Sequence, residues 1–450
     1  MHLANLTTAL KNRTAVSLIF TFITAFAYGQ DNSPFSRYGI GDQAQNNNIV
    51  SRSMGGIVAG YSDYQSINLN NPASLGNVQI TIFDFGAEVV RRTLKSNISP
   101  AKYTSTNTNV SYLQIGFPLG SFKAKKSDPE KNIFWGGSFG LRPVTRIGYK
   151  IQDDKRVFGI DSVNNLYEGS GGLNQVNFST GVRVKNLSVG VSAGYTFGNN
   201  DYSTKVQFVN DTIAYYRSNR DAQTRFGGLF VTVGTQYQIK LKGDGLLKFG
   251  AYANLQQNLR ARRDVLDATF TPDNNGSELI IDTISFKQGQ AGTIAIPASY
   301  AAGFTYANTH ILLGADVEIA DWKNFTSFSE KDPALQNSFT VKAGIQYYPA
   351  VETTPTTKYW SFVKYRAGIY YGNDYVKITN NRTIAGATFG AGFPLTSFQR
   401  LRFGDFVTLN TSIDLGIRGN RNSESIRENV ARFSLGLSMN ARWFQKRKYD

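Results

Sequence analysis

The chain has no cysteine among its 450 residues, so neither a disulfide framework nor a thiolate metal site is open to it. Histidine is nearly as scarce. His2 lies in the leading segment, and His310 falls at a short turn between two apolar stretches. Catalysis by a histidine base beside a nucleophile, and metal sites built on histidine, therefore lack their parts. A lone histidine at a turn reads as a surface residue, and pairs such as Asp153-Asp154 read as solvated loop charges. The sequence argues against an enzyme and needs no cofactor and no metal. Long apolar runs are missing too. The one apolar stretch, Ala15 to Ala27, is too short to cross a bilayer as a helix. With Lys11 and Arg13 before it and Ala27-Tyr28-Gly29 at its end, it has the layout of a signal peptide over residues 1–29. An exported chain of this kind that crosses a membrane does so as strands.

What the chain has in quantity is alternation. Between Asn429 and Phe444, Phe433, Leu435, Leu437, Met439, Ala441 and Trp443 share one side of an extended chain. Arg432, Ser434, Gly436, Ser438, Asn440 and Arg442 share the other. Leu187–Gly198 and Val407–Arg418 repeat the pattern, which is that of a transmembrane strand with a lipid face and a lumen face. About fourteen such segments run from Val78 to Phe444, on the scale of a porin-sized barrel. The connections after odd-numbered segments are mostly long and polar, as in Ile151–Gly172 and Asp264–Ile294. Several of the others are tight: Lys185-Asn186, Lys242-Gly243-Asp244 and Asn308-Thr309. Long outer loops and short inner turns belong to an even-stranded barrel with both termini in the periplasm. A β-sandwich has no reason to produce that rhythm. The hydrophobic fraction of 41% and mean hydropathy of −0.29 do not conflict with a barrel, which hides its apolar half in alternation. Trp135, Trp322, Trp360 and Trp443 all fall near segment ends, where interfacial aromatic girdles would put them. The expected fold is an all-β, antiparallel transmembrane barrel over residues 78–450.

A net charge of +16 raises nucleic-acid binding as a reading, but the basic residues are spread over strands and loops instead of gathered in one tract. A polar lumen and anionic lipid headgroups account for them as well. Arg142, Arg183, Lys342, Lys364, Arg366, Arg418, Arg432 and Arg442 fall on inward positions, against Asp316, Glu318 and Asp414. For a substrate bearing a carboxylate, Arg142, Lys342, Lys364, Arg366 and Arg418 are the candidate counter-charges. The third segment, Ile133 to Pro143, is the odd one, with Gly136, Gly137, Gly140 and Pro143 in a run that ought to be regular. Proline cannot donate to a ladder, and glycines mark bends and bulges. Two readings stand: a bulge near the outer rim, or a break in the wall through which an apolar ligand leaves sideways. Residues 30–77 are polar and turn-rich, either a flexible leader or a compact plug inside the barrel.

Two stretches carry a family resemblance. Asn71-Pro72-Ala73 lies just before the first strand, and Ile296-Pro297-Ala298-Ser299-Tyr300 leads through Gly303 to Asp316, Asp321 and Trp322. In this order they resemble the outer-membrane long-chain fatty-acid and hydrocarbon transporters of the FadL type, over essentially the whole mature chain. The runs Gly390–Leu395 and Arg427–Tyr449 look like the branch found in Bacteroidota. The resemblance implies a fourteen-stranded barrel plugged by an N-terminal hatch (residues 30–77) whose motif is Asn71-Pro72-Ala73. It also implies a kinked third strand opening laterally, where Gly136, Gly137, Gly140 and Pro143 sit. The expected function is passive uptake of hydrophobic, fatty-acid-like molecules across the outer membrane of a Gram-negative bacterium. Outer-membrane lipid and the ligand would be the partners, with other outer-membrane proteins as further ones. The alternative is an accessory barrel in a secretion or assembly complex, a use the same shape has in Bacteroidota. The basic tail Lys446–Lys448 has no account in either reading.

Overall fold

Along Leu187–Phe197 the alternation is literal: Leu187, Val189, Val191, Tyr195 and Phe197 stand exposed while Ser188, Ser192 and Thr196 are buried. Valine and aromatic side chains fit a pleated outer surface, and small hydroxyls fit the crowded inner one. The computed structural model describes residues 32–96, 102–122, 133–158, 161–209, 215–272, 278–350, 358–377, 381–396, 406–419 and 426–441. The signal peptide, Trp443 and the basic tail lie outside these.

The chain opens with a two-residue strand, β1 (Asp42–Gln43), and a single turn of helix, α1 (Ile49–Arg52). There follow β2 (Thr81–Lys95), β3 (Lys102–Phe122), β4 (Ile133–Val157), β5 (Asp161–Val184), β6 (Leu187–Val209) and β7 (Arg217–Lys240). Next come β8 (Leu246–Asn254), β9 (Gln257–Pro272), β10 (Glu278–Ile296), β11 (Ser299–Ala307) and β12 (Ile311–Ala320). The last are β13 (Thr326–Ser327), β14 (Glu330–Lys331), β15 (Ser338–Tyr347), β16 (Lys364–Lys377), β17 (Asn381–Pro394), β18 (Val407–Arg418) and β19 (Arg427–Ala441). β8 and β9 both lie beside β7 and form one interrupted strand, and β10 with β11 forms the next. β19 pairs back to β2, with Arg432 opposite Val90, and closes a ring of 14 antiparallel strands. The expected fold and strand count both hold. Among the described residues no helix is long and apolar enough to cross a membrane.

Two expectations need correction. The stretches read as long loops are largely strand. The β4–β5 ladder continues to Val157 opposite Asp161, and β9–β10 to Pro272 opposite Glu278. Beyond the lipid a hairpin has no apolar face to maintain, so ladder hydrogen bonds hold it without leaving a period-two signature. The second correction concerns the tryptophans. Trp135 and Trp360 are exposed near the short-turn end, as a girdle requires, but Trp322 is buried in a core of Phe325, Leu335 and Tyr375 at the opposite end.

The outward face predicts a position-dependent response to charge. Ile413→Arg, halfway along β18 and facing lipid, should cost about 2–4 kcal/mol, whereas Ile284→Arg on the projecting part of β10 should cost less than about 0.5 kcal/mol. Reversible denaturant unfolding in lipid vesicles measures both. Equal penalties would be incompatible with this placement of the membrane.

Candidate functional site: the hatch and its seam with the wall

The segment from Asn32 to Ile80 folds against the inward faces of the strands. Asn48 caps α1 by accepting the Ser51 N–H at 2.8 Å. Asn71 caps the short helix Pro72–Asn77: its Oδ1 accepts the Ala73 N–H at 3.1 Å. Its Nδ2 donates to the Ala59 carbonyl at 2.7 Å and to Thr235 of β7 at 3.2 Å. Proline then occupies the first helical position, where its missing N–H costs nothing. The Asn-Pro-Ala stretch thus ties a hatch helix both to the hatch and to the wall. Wall glycines let it approach. A Cβ on Gly136 would stand 2.2 Å from the Leu75 carbonyl oxygen, and one on Gly181 2.4 Å from that of Pro72. On the far side of the bore Asp316 of β12 accepts the backbone N–H groups of Val58 and Ala59, the latter at 2.7 Å.

Charge holds the hatch more firmly. Arg52 of α1 meets Glu88 of β2 at 2.7 Å; Arg146 of β4 reaches the same carboxylate at 2.7 Å. Arg432 of β19 stands 3.4 Å from Glu88 and 2.7 Å from Asp414 of β18. A second cluster forms around Asp42 of β1, which accepts from Arg92 at 2.7 Å and Arg418 at 2.6 Å. Arg418 and Arg382 both contact Asp374 of β16, at 2.6 and 3.0 Å, and Glu428 of β19 accepts from Arg92 at 3.2 Å. The Arg382 guanidinium also lies 3.2 Å from the ring centroid of hatch residue Phe35. Burial works against the ionised form of Asp42, but Arg418 and Arg92 outweigh it and hold the carboxyl below its ordinary value. Asp63, opposed by burial and favoured by Lys364, is lowered as well.

The seam lies at the third barrel strand. The β3–β4 ladder runs from Phe122 opposite Ile133 to Leu113 opposite Leu141 and there ends among the described residues. Pro143 stands two positions further on, beside a register shift in the β4–β5 ladder. Above this point, among the described residues, β3 pairs with no barrel strand but β2, and β4 with no barrel strand but β5. The hatch fills the parting. Asp42 and Gln43 pair with Arg146 and Thr145, Ala44 N–H donates to Val144 at 2.9 Å and Ser33 N–H to Gly148 at 2.8 Å. Arg146 spans the gap to the Val110 carbonyl at 3.0 Å.

Five cations were expected as counter-charges for a ligand; each is engaged by protein groups, and the fold brings three of them to one cavity. Arg142 donates to the hatch carbonyls of Asn46 and Leu69, at 3.2 and 2.8 Å. Lys342 pairs with Glu318 at 2.5 Å, and Lys364 donates to Gln65 at 2.7 Å and stands 3.5 Å from Asp63. Arg366 donates to Gln346 and Asn410, at 2.8 and 3.0 Å, and Arg418 holds Asp42 and Asp374. Arg142, Lys342 and Arg418 line a cavity of about 380 Å³ between hatch and wall, together with Asp42, Asp374, Asp414 and Glu428. Lys364 lines another of about 470 Å³ at the short-turn end, beside Tyr64, His310 and Phe362. Sequence reading missed Arg52, Asp42, Glu88, Asp374 and Glu428. A signal for part of it was present, since Asp84, Glu88 and Arg92 recur every fourth residue on the inward side of β2.

A closed fourteen-stranded barrel with a hatch folded into its bore defines the class: an outer-membrane-type β-barrel of FadL architecture. The chain belongs to the BamG family, whose match runs over residues 10–450. A FadL homologue from Pseudomonas aeruginosa superposes with TM-score 0.55 at 12% identity, over 89% of this chain and 99% of that one. The CymD monoaromatic hydrocarbon channel gives 0.54 at 12% identity, over 90% and 100%. The toluene transporter TodX of P. putida gives 0.53 at 16% identity, over 89% and 100%. The fold is thus one shared with a monoaromatic hydrocarbon channel and a toluene transporter. No curated protein matches the chain.

The ion clusters predict the hatch's response to mutation and acid. Asp374→Ala leaves Arg418 and Arg382 buried with less counter-charge and should cost about 3–5 kcal/mol, read as a lowered denaturant midpoint in detergent. The second prediction compares wild type with Asp42→Asn. A carboxyl whose native value is depressed stabilises fully above its unfolded value and loses that contribution as pH falls through the native one. The wild-type advantage should therefore be complete above the ordinary aspartate value of 3.8 and shrink below it. A pH series of unfolding midpoints tests this, and an advantage independent of pH would refute it.

Proposed function

We propose that this protein is a non-conducting accessory barrel of an outer-membrane assembly or secretion complex, with the long hairpins facing the cell exterior and both termini in the periplasm. The observation that carries this reading is the bolted hatch. Its charges Asp42 and Arg52 are sunk among wall charges, and the space beside it is lined by ionised groups. A hydrocarbon would have to pass those groups without compensating them, at a steep desolvation cost. A second feature supports a protein partner. Leu279, Ile280, Ile281, Ile284 and Phe286 stand exposed on β10, where among the described residues only β9 pairs with it. Phe286 is fourteen residues, about 45 Å of extended chain, beyond the lipid-facing Tyr300. Lipid does not reach that far. An unpaired edge with exposed apolar side chains is a template for another polypeptide.

The parting between β3 and β4 favours a second reading, uptake of fatty-acid-like molecules with exit beside Pro143; of the expected gate residues, Gly136, Gly137 and Gly140 lie in the paired stretch below the parting. In that reading the Ser33–Ala44 stretch of the hatch is the moving part, since it covers the seam. One purification separates the two. Gentle extraction from native membranes should bring down stoichiometric outer-membrane proteins with the barrel, and the pure barrel should be electrically silent in a planar bilayer. A solitary monomer carrying an elongated apolar ligand would overturn the accessory role. Loss of labelled fatty-acid uptake in a folded Pro143→Ala, Gly137→Val variant would support the lateral route in its place.

A further inference from the structure

On the outward face of β7 and β9, the register sets Arg225 directly opposite Arg262, with Arg260 two residues further along β9 opposite Gly227. All three side chains are exposed. Residues directly opposite on neighbouring strands bring their Cβ atoms to about 4.5–5.5 Å, where like charges repel. Among the described residues no carboxylate forms an ion pair with any of them, whereas Arg220, higher on β7, has Asp267 at 3.7 Å. The acidic groups nearest in the register are engaged elsewhere: Asp264 accepts the Gly289 N–H at 2.6 Å and Asp201 accepts from Asn199 at 2.8 Å. On β10, Arg260 and Arg262 face Thr293 and Ala291, which offer no charge.

The level of this patch is informative. Moving up the same outward face, the apolar band ends with Phe197 on β6, Leu229 on β7 and Leu255 just past β8, and the next exposed large apolar residue on β6, Val209, lies at the far end of that strand. Arg225 comes two residues after the Gly227 row that pairs with Phe197, and the exposed residues between Leu255 and Arg260 are Gln256 and Asn258. The three guanidiniums therefore begin where the acyl chains end. That is the depth of lipid headgroups, and the groups there that a pair of guanidiniums grips bidentately are phosphates.

We propose that Arg225, Arg260 and Arg262 form a binding site for a phosphomonoester anion presented by a lipid headgroup in the leaflet on the long-hairpin side. The anion relieves the Arg225–Arg262 repulsion built into the ladder and pins this side of the barrel to its lipid. The site is separate from the bore and stands whether or not the barrel conducts.

The test uses the full-length mature barrel in neutral detergent and native mass spectrometry. Three probes are added: a diphosphorylated glucosamine-based lipid, its dephosphorylated counterpart, and inorganic phosphate. The wild type should retain the phosphorylated lipid at least tenfold better than an Arg225→Gln, Arg262→Gln variant, and should not discriminate that variant with the dephosphorylated lipid. Millimolar inorganic phosphate should displace little of the bound lipid. Equal retention by the two proteins, or equal retention of the two lipids by the wild type, overturns the site. Full displacement by inorganic phosphate would assign it to a free anion and overturn the lipid source. The glutamine variant removes only exposed charge, so folding is checked by its heat-dependent shift in electrophoretic mobility. In detergent without anionic lipid its melting temperature should equal or exceed that of the wild type, because the repulsion is gone. In vesicles containing the phosphorylated lipid the order should reverse.

Discussion

The structure depends on one constraint: a charge taken out of water inside a barrel must meet its opposite. The bore of this protein is built from ionised side chains on several strands, and no strand by itself balances its own. Glu88 lies among Arg52, Arg146 and Arg432, while Asp42 and Asp374 share Arg418. Removing the hatch would leave the first cluster without Arg52 and the second without Asp42. Without the hatch, Arg92, Arg382 and Arg418 keep only Asp374 and Glu428 among the described carboxylates, and without the wall Arg52 loses Glu88. Such arrangements contribute little net stability compared with an apolar core, but once formed they are costly to break singly. The consequence is a plug that fits one way.

The same constraint bears on transport. Barrels with this architecture include a hydrocarbon channel, and in this chain β3 parts from β4 beyond Leu141. In this chain the parting is bridged by hatch backbone at Asp42 and Gln43 and by the side chain of Arg146. Glycines at positions 136 and 181 serve the close approach of the hatch helix, which gives those positions a packing reason that holds whatever passes through the barrel. Fold alone does not choose between conduit and scaffold. The distribution of charge in the bore is the ground on which the scaffold is proposed.

How much of this could be read from the chain varies by element. The strands that cross the lipid were legible because a membrane enforces a period of two: outward Leu187, Val189 and Val191 alternate with small and polar residues. The hairpins above the membrane were not, since β4 beyond Tyr149 and β10 before Ile294 are held by ladder bonds and keep no period-two alternation. Trp322 misled for a related reason. A tryptophan near a strand end sits at an interface only if the next residues leave the protein, and here they turn inward to Phe325 and Tyr375.

The sequence by itself determined the barrel: strand number, alternation, the side that meets lipid, and the presence of a turn-rich segment before the first strand. Those properties are local, repeating every two residues, so a linear reading recovers them. Only the tertiary structure decided which inward charges meet. Asp42 and Arg418 are separated by 376 residues and Arg52 and Glu88 by 36, and nothing in the spacing of either pair encodes that they touch. Closure of the ring and the seating of the hatch bring them together, because a low-dielectric bore leaves each charge no other partner.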